Sequence, residues 1–178
     1  MHEGDLLDWL SVAAVLAAAL GAGLHAIRAP RRRRRFALLA AILSFLAVDD
    51  AFAVHERMTD AAAAALGVSA NGDVLFLAPY LPLLAAAFFL LWTAARESPR
   101  PASRTISLGL MLLAAALCFR AVAAFASLTG TTLDGWQRTL GVAALHETEL
   151  LAWILVAAGL AMLPAVGKRA WSPPAGTA

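Results

Sequence analysis

Long apolar runs separated by short polar segments limit what this chain can fold into. The first run, from Leu6 to Ile27, is almost entirely Leu, Ala and Val, and four more follow at about 36–56, 74–95, 105–128 and 138–163. A helix of about 20 apolar residues crosses the ~30 Å hydrocarbon core of a bilayer, and 61% hydrophobic residues is far above the share in soluble domains. The sequence therefore predicts an all-α integral membrane bundle of five transmembrane helices, forming a single domain over residues 1–178.

Positive charge is unevenly distributed between the segments that join the runs. One set of segments contains Arg57 and Arg138, and the alternate set contains Arg28, Arg31–Arg35, Arg96, Arg100, Arg104, Lys168 and Arg169. Because cytoplasmic loops carry an excess of Lys and Arg, we expect the amino terminus outside and the carboxyl terminus in the cytoplasm. The five consecutive arginines are typical of a topology signal, which can also contact anionic membrane lipid. Nucleic acid is not an expected partner.

Two clusters of ionisable residues interrupt the apolar runs. The second run ends in Asp49, Asp50, His55 and Glu56, the fifth contains His146, Glu147 and Glu149, and the fourth holds a lone arginine, Arg120. One such residue at the centre of a membrane helix costs roughly 2.5–3.5 kcal/mol on insertion scales. In the predicted topology all of them fall in the outer half of the bilayer. We therefore expect the functional site there.

The helical positions of these residues favour a metal site. At about 100° per residue, Asp49 and Glu56 share a helix face within about 20°, and His146 and Glu149 are one turn apart on another helix. Carboxylate and imidazole ligands suit transition metals, with iron or zinc first. We expect Asp49, Glu56, His146 and Glu149 to bind one or two metal ions, with His55 as an alternate or additional ligand.

Three alternatives stay open. His55 and His146 could be the axial ligands of haem b, although the neighbouring acids disfavour an apolar macrocycle. The acids could handle protons or ions without a transition metal, or they could form structural ion pairs. In each case Asp50 and Glu147 are available to Arg120 or to supporting roles around the site. A lone arginine at membrane depth needs a counter-charge, and the expected partners are Asp50, then Asp49, then Glu147.

The stretch Phe45-Leu46-Ala47-Val48-Asp49-Asp50-Ala51-Phe52-Ala53-Val54-His55-Glu56 resembles the LDDxxxxHE or LDExxxxHE signature of small multi-pass bacterial membrane proteins. Some of those proteins carry an acidic doublet in a later span, from which Glu147-x-Glu149 departs. The resemblance implies a shared polar site in a helix bundle of the inner (plasma) membrane, and it implies no substrate.

The sequence thus predicts a membrane protein with a carboxylate/histidine metal site, in the form of a metal-dependent enzyme acting on a lipid-soluble substrate. A proton- or ion-transporting module that uses the same acids is the first alternative. A structural subunit with buried ion pairs is the second. Membrane lipid is the expected partner in all three cases, and a homo-oligomer or a membrane partner subunit is compatible with each.

Overall fold

The chain folds into helices joined by short turns in the part that the computed structural model describes, namely residues 3–52, 54, 57, 58, 61, 72–128 and 135–163. A short 3₁₀ turn, Pro30–Arg32, joins the first two helices. The five main helices are α1 (Glu3–Arg28), α2 (Arg33–Phe52), α3 (Gly72–Arg96), α4 (Arg100–Leu128) and α5 (Gly135–Ala161). These helices coincide with the five predicted apolar runs, so the prediction of an all-α bundle is confirmed.

The helices form a closed ring in chain order. Each helix packs against the next, and α5 returns to pack against α1. Within the described residues, α2 makes no backbone approach to α5, because α1 lies between them. The parallel course of α1 and α5 is visible at both ends, where Asp8 meets His146 and His25 meets Leu160.

Small residues let the helices that flank the ring closure approach closely. Ala18 and Ala22 of α1 and Ala152 of α5 are completely buried. A Cβ atom added at Gly109 of α4 would lie 2.8 Å from the carbonyl oxygen of Ala152. Such contacts between backbones are typical of membrane helices, which associate through packing rather than through exclusion of water.

The outer surface of the ring is apolar. Large hydrophobic side chains on every helix are exposed, among them Leu20, Ile27, Phe89, Met111 and Val122. An exposed apolar surface of this extent would be a liability in water and is suited to lipid. Tryptophan is common at both membrane–water interfaces, and Trp9 and Trp92 are exposed at opposite ends of the bundle. The side chains of Trp136 and Trp171 lie outside the described part.

Among the residues that the structure describes, three segments are long and apolar enough to cross a membrane: Leu6–Arg28, Arg100–Val122 and Ala144–Ala161. The chain is therefore a helical membrane protein. In α3 the segment Tyr80–Arg96 is apolar but shorter. In α2 the apolar stretch runs only from Phe36 to Val48 between Arg35 and Asp49, which is roughly 20 Å of helix and less than a hydrocarbon core. A crossing by α2 would thus bring Asp49 into the membrane.

The close packing of α4 against α5 predicts that Gly109→Ala destabilises the bundle. The new methyl group would meet backbone atoms of Ala152 and Val156 at 2.8 and 3.2 Å, and overpacking of this kind costs about 1–3 kcal/mol. That loss exceeds the gain of up to about 1 kcal/mol from the higher helix propensity of Ala. The measurement is the free energy of unfolding in mixed micelles titrated with sodium dodecyl sulfate.

Gly23→Ala is the matched control for this substitution. A Cβ atom at Gly23 would lie 4.0 Å from the Cβ of Ala40, which is an ordinary van der Waals contact. We expect this variant to be as stable as the unmodified protein or more stable. Equal unfolding free energies for the two variants would contradict the close packing at Gly109.

Candidate functional site

One buried polar contact joins α2 to α3. The hydroxyl of Tyr80 donates a hydrogen bond to Oδ1 of Asp49 at 2.7 Å, and Asp49 is only 4% exposed. The ring of Tyr80 also stacks on Phe45, one turn before Asp49, with the ring centroids 6.2 Å apart. Asp49 therefore faces the bundle, whereas Asp50, one residue further around the helix, is exposed.

A second contact joins α4 to α5. Nη2 of Arg120 lies 2.8 Å from Oε2 of Glu149, which makes both a hydrogen bond and an ion pair. The Glu149 side chain is largely buried, with 19% exposed. Nε of Arg120 is fully buried and has no hydrogen-bond partner among the described residues. One nitrogen of the guanidinium, Nη2, is thus bound to Glu149, whereas a second, Nε, is buried within the protein.

The direction of the Arg120 side chain follows from helix geometry. Its neighbour Phe119 lies opposite Gly141, where an added Cβ would be 3.1 Å from Cζ of Phe119. Glu149 lies about two turns, or ~12 Å, further along α5. Side chains lean toward the amino terminus of their own helix, so on antiparallel helices Arg120 and Glu149 lean toward each other. Arg120 therefore extends along the helix axis toward the middle of the bundle, away from the carboxyl end of α4 and the amino end of α5.

A third contact joins α1 to α5. Nδ1 of His146 lies 3.2 Å from Oδ1 of Asp8. Both side chains are partly exposed, since they lie nearer the end of the bundle than Glu149 does. His146 and Glu149 are one helical turn apart. The contacts of Asp8 and Arg120 are therefore adjacent along α5, and we call Asp8, His146, Glu149 and Arg120 the α5 polar row.

The structure brings some of the predicted site residues together and leaves others apart. His146 and Glu149 belong to one row, whereas Asp49 lies at the α2–α3 interface, on a helix that does not contact α5 in the described part. Among the described residues, no group of three or more His, Cys, Asp or Glu side chains is placed to hold a metal ion. His55 and Glu56 lie outside the described residues, so their roles as ligands stay predictions.

Arg120 has the carboxylate partner that the sequence predicts, but its identity differs. The partner is Glu149, which was expected to be a metal ligand, and not Asp50, Asp49 or Glu147. Glu147 is exposed, as expected for a side chain that points well away from Glu149. The order of candidates was wrong because it assigned Glu149 to a metal site and took no account of which helices are neighbours or of the lean of Arg120 along α4.

Three further residues in polar contacts were absent from the predicted site. Asp8 pairs with His146, Tyr80 holds Asp49, and buried His25 donates from Nε2 to the carbonyl oxygen of Leu160 at 3.0 Å. Tyr80 is the only tyrosine of the chain. A phenol hydroxyl in an apolar helix usually has a hydrogen-bond partner, and that requirement was the available signal.

Comparison with known proteins identifies the family. The model of a domain of unknown function, DUF8692, matches residues 4–165. The chain belongs to this family. The match covers all five helices apart from the first residue of α1. No curated protein and no solved structure matches the chain, so the chemistry of the DUF8692 site has to be argued from its own residues.

The pairing of Arg120 with Glu149 predicts a strong energetic coupling between them. We expect Arg120→Gln and Glu149→Gln each to cost about 1–3 kcal/mol of unfolding free energy, because each leaves a partly buried charge without its partner. The double variant should cost less than the sum of the two. A double-mutant cycle in mixed micelles measures this coupling.

The exposed pair of Arg35 and Glu97, at 3.2 Å, provides the control cycle with the same chemistry. Exposed ion pairs contribute about 0–1 kcal/mol. A coupling between Arg120 and Glu149 no larger than that between Arg35 and Glu97 would show that the buried contact is unimportant for stability.

Proposed function

We propose that this protein handles protons at the membrane, as a proton-conducting or proton-coupled transport module built on the α5 polar row. The observation that carries the proposal is the order of exposure along the row. The exposed fraction falls from 59% for Asp8 to 39% for His146 and 19% for Glu149. Chains of Asp, Glu and His inside membrane proteins are the usual components of proton relays.

Each residue of the row has a distinct role in this proposal. Asp8 takes a proton from water, and His146, in contact with Asp8, passes it toward Glu149. Glu149 is the terminal acceptor of the described row, and its carboxylate pairs with Arg120 between transfers. Protonation of Glu149 neutralises the partner of Arg120, whose buried Nε has no acceptor among the described residues. The guanidinium is then free to change its position, which couples proton uptake to a movement between α4 and α5.

The proposed orientation is five membrane crossings with the amino terminus outside. It is supported by the position of Arg28, Arg31–Arg35, Arg96, Arg100 and Arg104 at one end of the bundle and of Asp8 at the other. By the positive-inside rule the arginine end faces the cytoplasm. The α5 polar row then opens toward the outside of the inner (plasma) membrane.

Proton flux into liposomes tests this function. The full-length protein is reconstituted with a pH-sensitive dye inside the vesicles, and a potassium diffusion potential is applied with valinomycin. We expect proton entry well above that of empty vesicles. We also expect Glu149→Gln to return the flux to the level of empty vesicles, because the terminal acceptor can no longer be charged.

Glu147→Gln is the matched control, since it makes the same change of charge two residues away on the exposed side of α5. Its flux should equal that of the unmodified protein. Equal flux in the Glu149 and Glu147 variants, or no flux above empty vesicles in the unmodified protein, would contradict the proposal.

The contact between Asp8 and His146 favours a metal site as a second candidate function. Metal-binding histidines commonly donate their other ring N–H to a carboxylate. With Nδ1 directed at Asp8, Nε2 of His146 is left for an ion. Glu149 one turn away supplies an oxygen, and iron or zinc accepts this donor set. His55 and Glu56 are the predicted ligands that could complete this site, which a metal-dependent enzyme acting on a lipid-soluble substrate would use, whereas Asp49 lies apart from it at the α2–α3 interface.

Elemental analysis separates this candidate from proton handling. Protein purified without chelator, then incubated with iron, zinc and manganese, should contain about one or two ions per chain if the metal site is real. His146→Ala combined with Glu149→Ala should remove them. Metal at background level would contradict the metal site and leave proton handling or structural ion pairing, which the flux measurement distinguishes.

A further inference from the structure

The two halves of α5 are held to the rest of the ring in different ways. In the carboxyl-terminal half, toward the arginine end, Ala152, Val156 and Leu160 are completely buried. In the amino-terminal half, toward Asp8, the side chains of His146 and Glu149 stay partly exposed. The carboxyl-terminal half is therefore packed into the core, whereas the polar side chains of the amino-terminal half are not.

Two glycines bring the carboxyl-terminal half of α5 into backbone contact with α4. A Cβ atom added at Gly109 of α4 would lie 2.8 Å from the carbonyl oxygen of Ala152. A Cβ atom added at Gly159 of α5 would lie 3.0 Å from the backbone nitrogen of Ile106. We call the contacts of Gly109 with Ala152 and of Gly159 with Ile106 the glycine clamp. Opposed backbones of this kind separate only if a whole helix moves.

α1 holds the same half of α5 from the other side. A Cβ atom added at Gly21 would lie 3.3 Å from Cβ of Leu160. Buried His25 donates a hydrogen bond from Nε2 to the carbonyl oxygen of Leu160 at 3.0 Å. The carboxyl-terminal half of α5 is thus fixed between α1 and α4.

At the Asp8 end, α4 and α5 meet through the ends of long side chains. Nη2 of Arg120 lies 2.8 Å from Oε2 of Glu149. A Cβ atom added at Gly141 would lie 3.1 Å from Cζ of Phe119, which is the tip of an exposed ring. Side-chain ends move by rotation between rotamers, without any displacement of the helix. This end of the α4–α5 interface is therefore the end that can open.

We propose that protonation of Glu149 lets the amino-terminal half of α5 swing away from α4, with the glycine clamp as the pivot. This inference rests on the proposed function for its trigger. The charged groups that face Glu149 in the described part are Arg120 of α4 and, one turn away, His146 with Asp8 of α1. Only the ionised form of Glu149 attracts Arg120, and a difference of this kind between two states is what shifts a conformational equilibrium. The glycine clamp contains no group that titrates, so it stays closed.

Distances between pairs of spin labels test this pivot. Full-length protein is reconstituted in nanodiscs, with the exposed Cys118 replaced by serine, and is measured by double electron–electron resonance. One label pair spans the Asp8 end, at Val122 of α4 and Ala144 of α5. The other pair spans the interface near the clamp, at Leu108 of α4 and Ile154 of α5. All four of these side chains are exposed, so the labels leave the packing between the helices intact.

Glu149→Gln carries the neutral side chain that protonation would produce. We expect it to lengthen the mean distance of the pair at the Asp8 end by about 1–2 Å and to leave the pair near the clamp unchanged. Arg120→Gln breaks the same contact from α4 and should lengthen the same distance, so the test does not depend on one variant. Glu147→Gln is the matched control on the exposed side of α5 and should change neither distance.

An unchanged distance at the Asp8 end in both variants, or equal increases in the two label pairs, would overturn the pivot. Proton flux measured on the same proteins separates this failure from failure of the proposed function. Loss of flux in Glu149→Gln with no change in distance overturns the pivot and leaves proton handling in place. The expected separation in a protein that shows no flux supports the pivot and contradicts proton handling.

Discussion

The closure of α1 against α5 is the interaction on which the ring depends. Chain order alone brings each helix next to its successor, but only this contact joins the first helix to the last. It is held in the middle by fully buried alanines, which stabilise it through close approach of the backbones. At one end it is held by His25 on the carbonyl of Leu160 and at the other by Asp8 on His146. The α5 polar row is thus part of the closure itself.

A polar side chain in an apolar bundle has to find its partner inside the bundle, because lipid offers none. The polar contacts between helices at the Asp8 end therefore also fix pairs of helices. Asp49 with Tyr80 fixes α2 to α3, and Arg120 with Glu149 fixes α4 to α5. Because Glu149 also fixes α4 to α5, we expect a charge substitution there to affect stability as well as the proposed proton transfer. The same substitution at the exposed Glu147 changes the charge without removing such a contact.

The sequence was sufficient to predict the helices, but it was insufficient to predict which polar side chains pair with each other. Apolar runs such as Leu6–Ile27 predict helices because the hydrocarbon core admits little else. Depth was also predictable, since it follows from residue number at a fixed rise. The partner of Arg120 was not, because it depends on which helices are neighbours and on the opposite lean of side chains on antiparallel helices. Asp49 was placed with His146 for the same reason: no local pattern reveals that α1 lies between α2 and α5.

The charged side chains at the two ends of the bundle differ in where their counter-charges lie. At the Asp8 end, Glu149 and His146 each have a partner of opposite or complementary character within the protein, so these side chains can lie in a region of low dielectric. At the arginine end, Glu97 alone is set against nine arginines, so the compensating charge has to come from outside the protein. The anionic surface of a membrane supplies such charge at about 1 kcal/mol per arginine. The counter-charges thus lie within the bundle at the Asp8 end, whereas at the arginine end most of the charge has no acid beside it in the sequence.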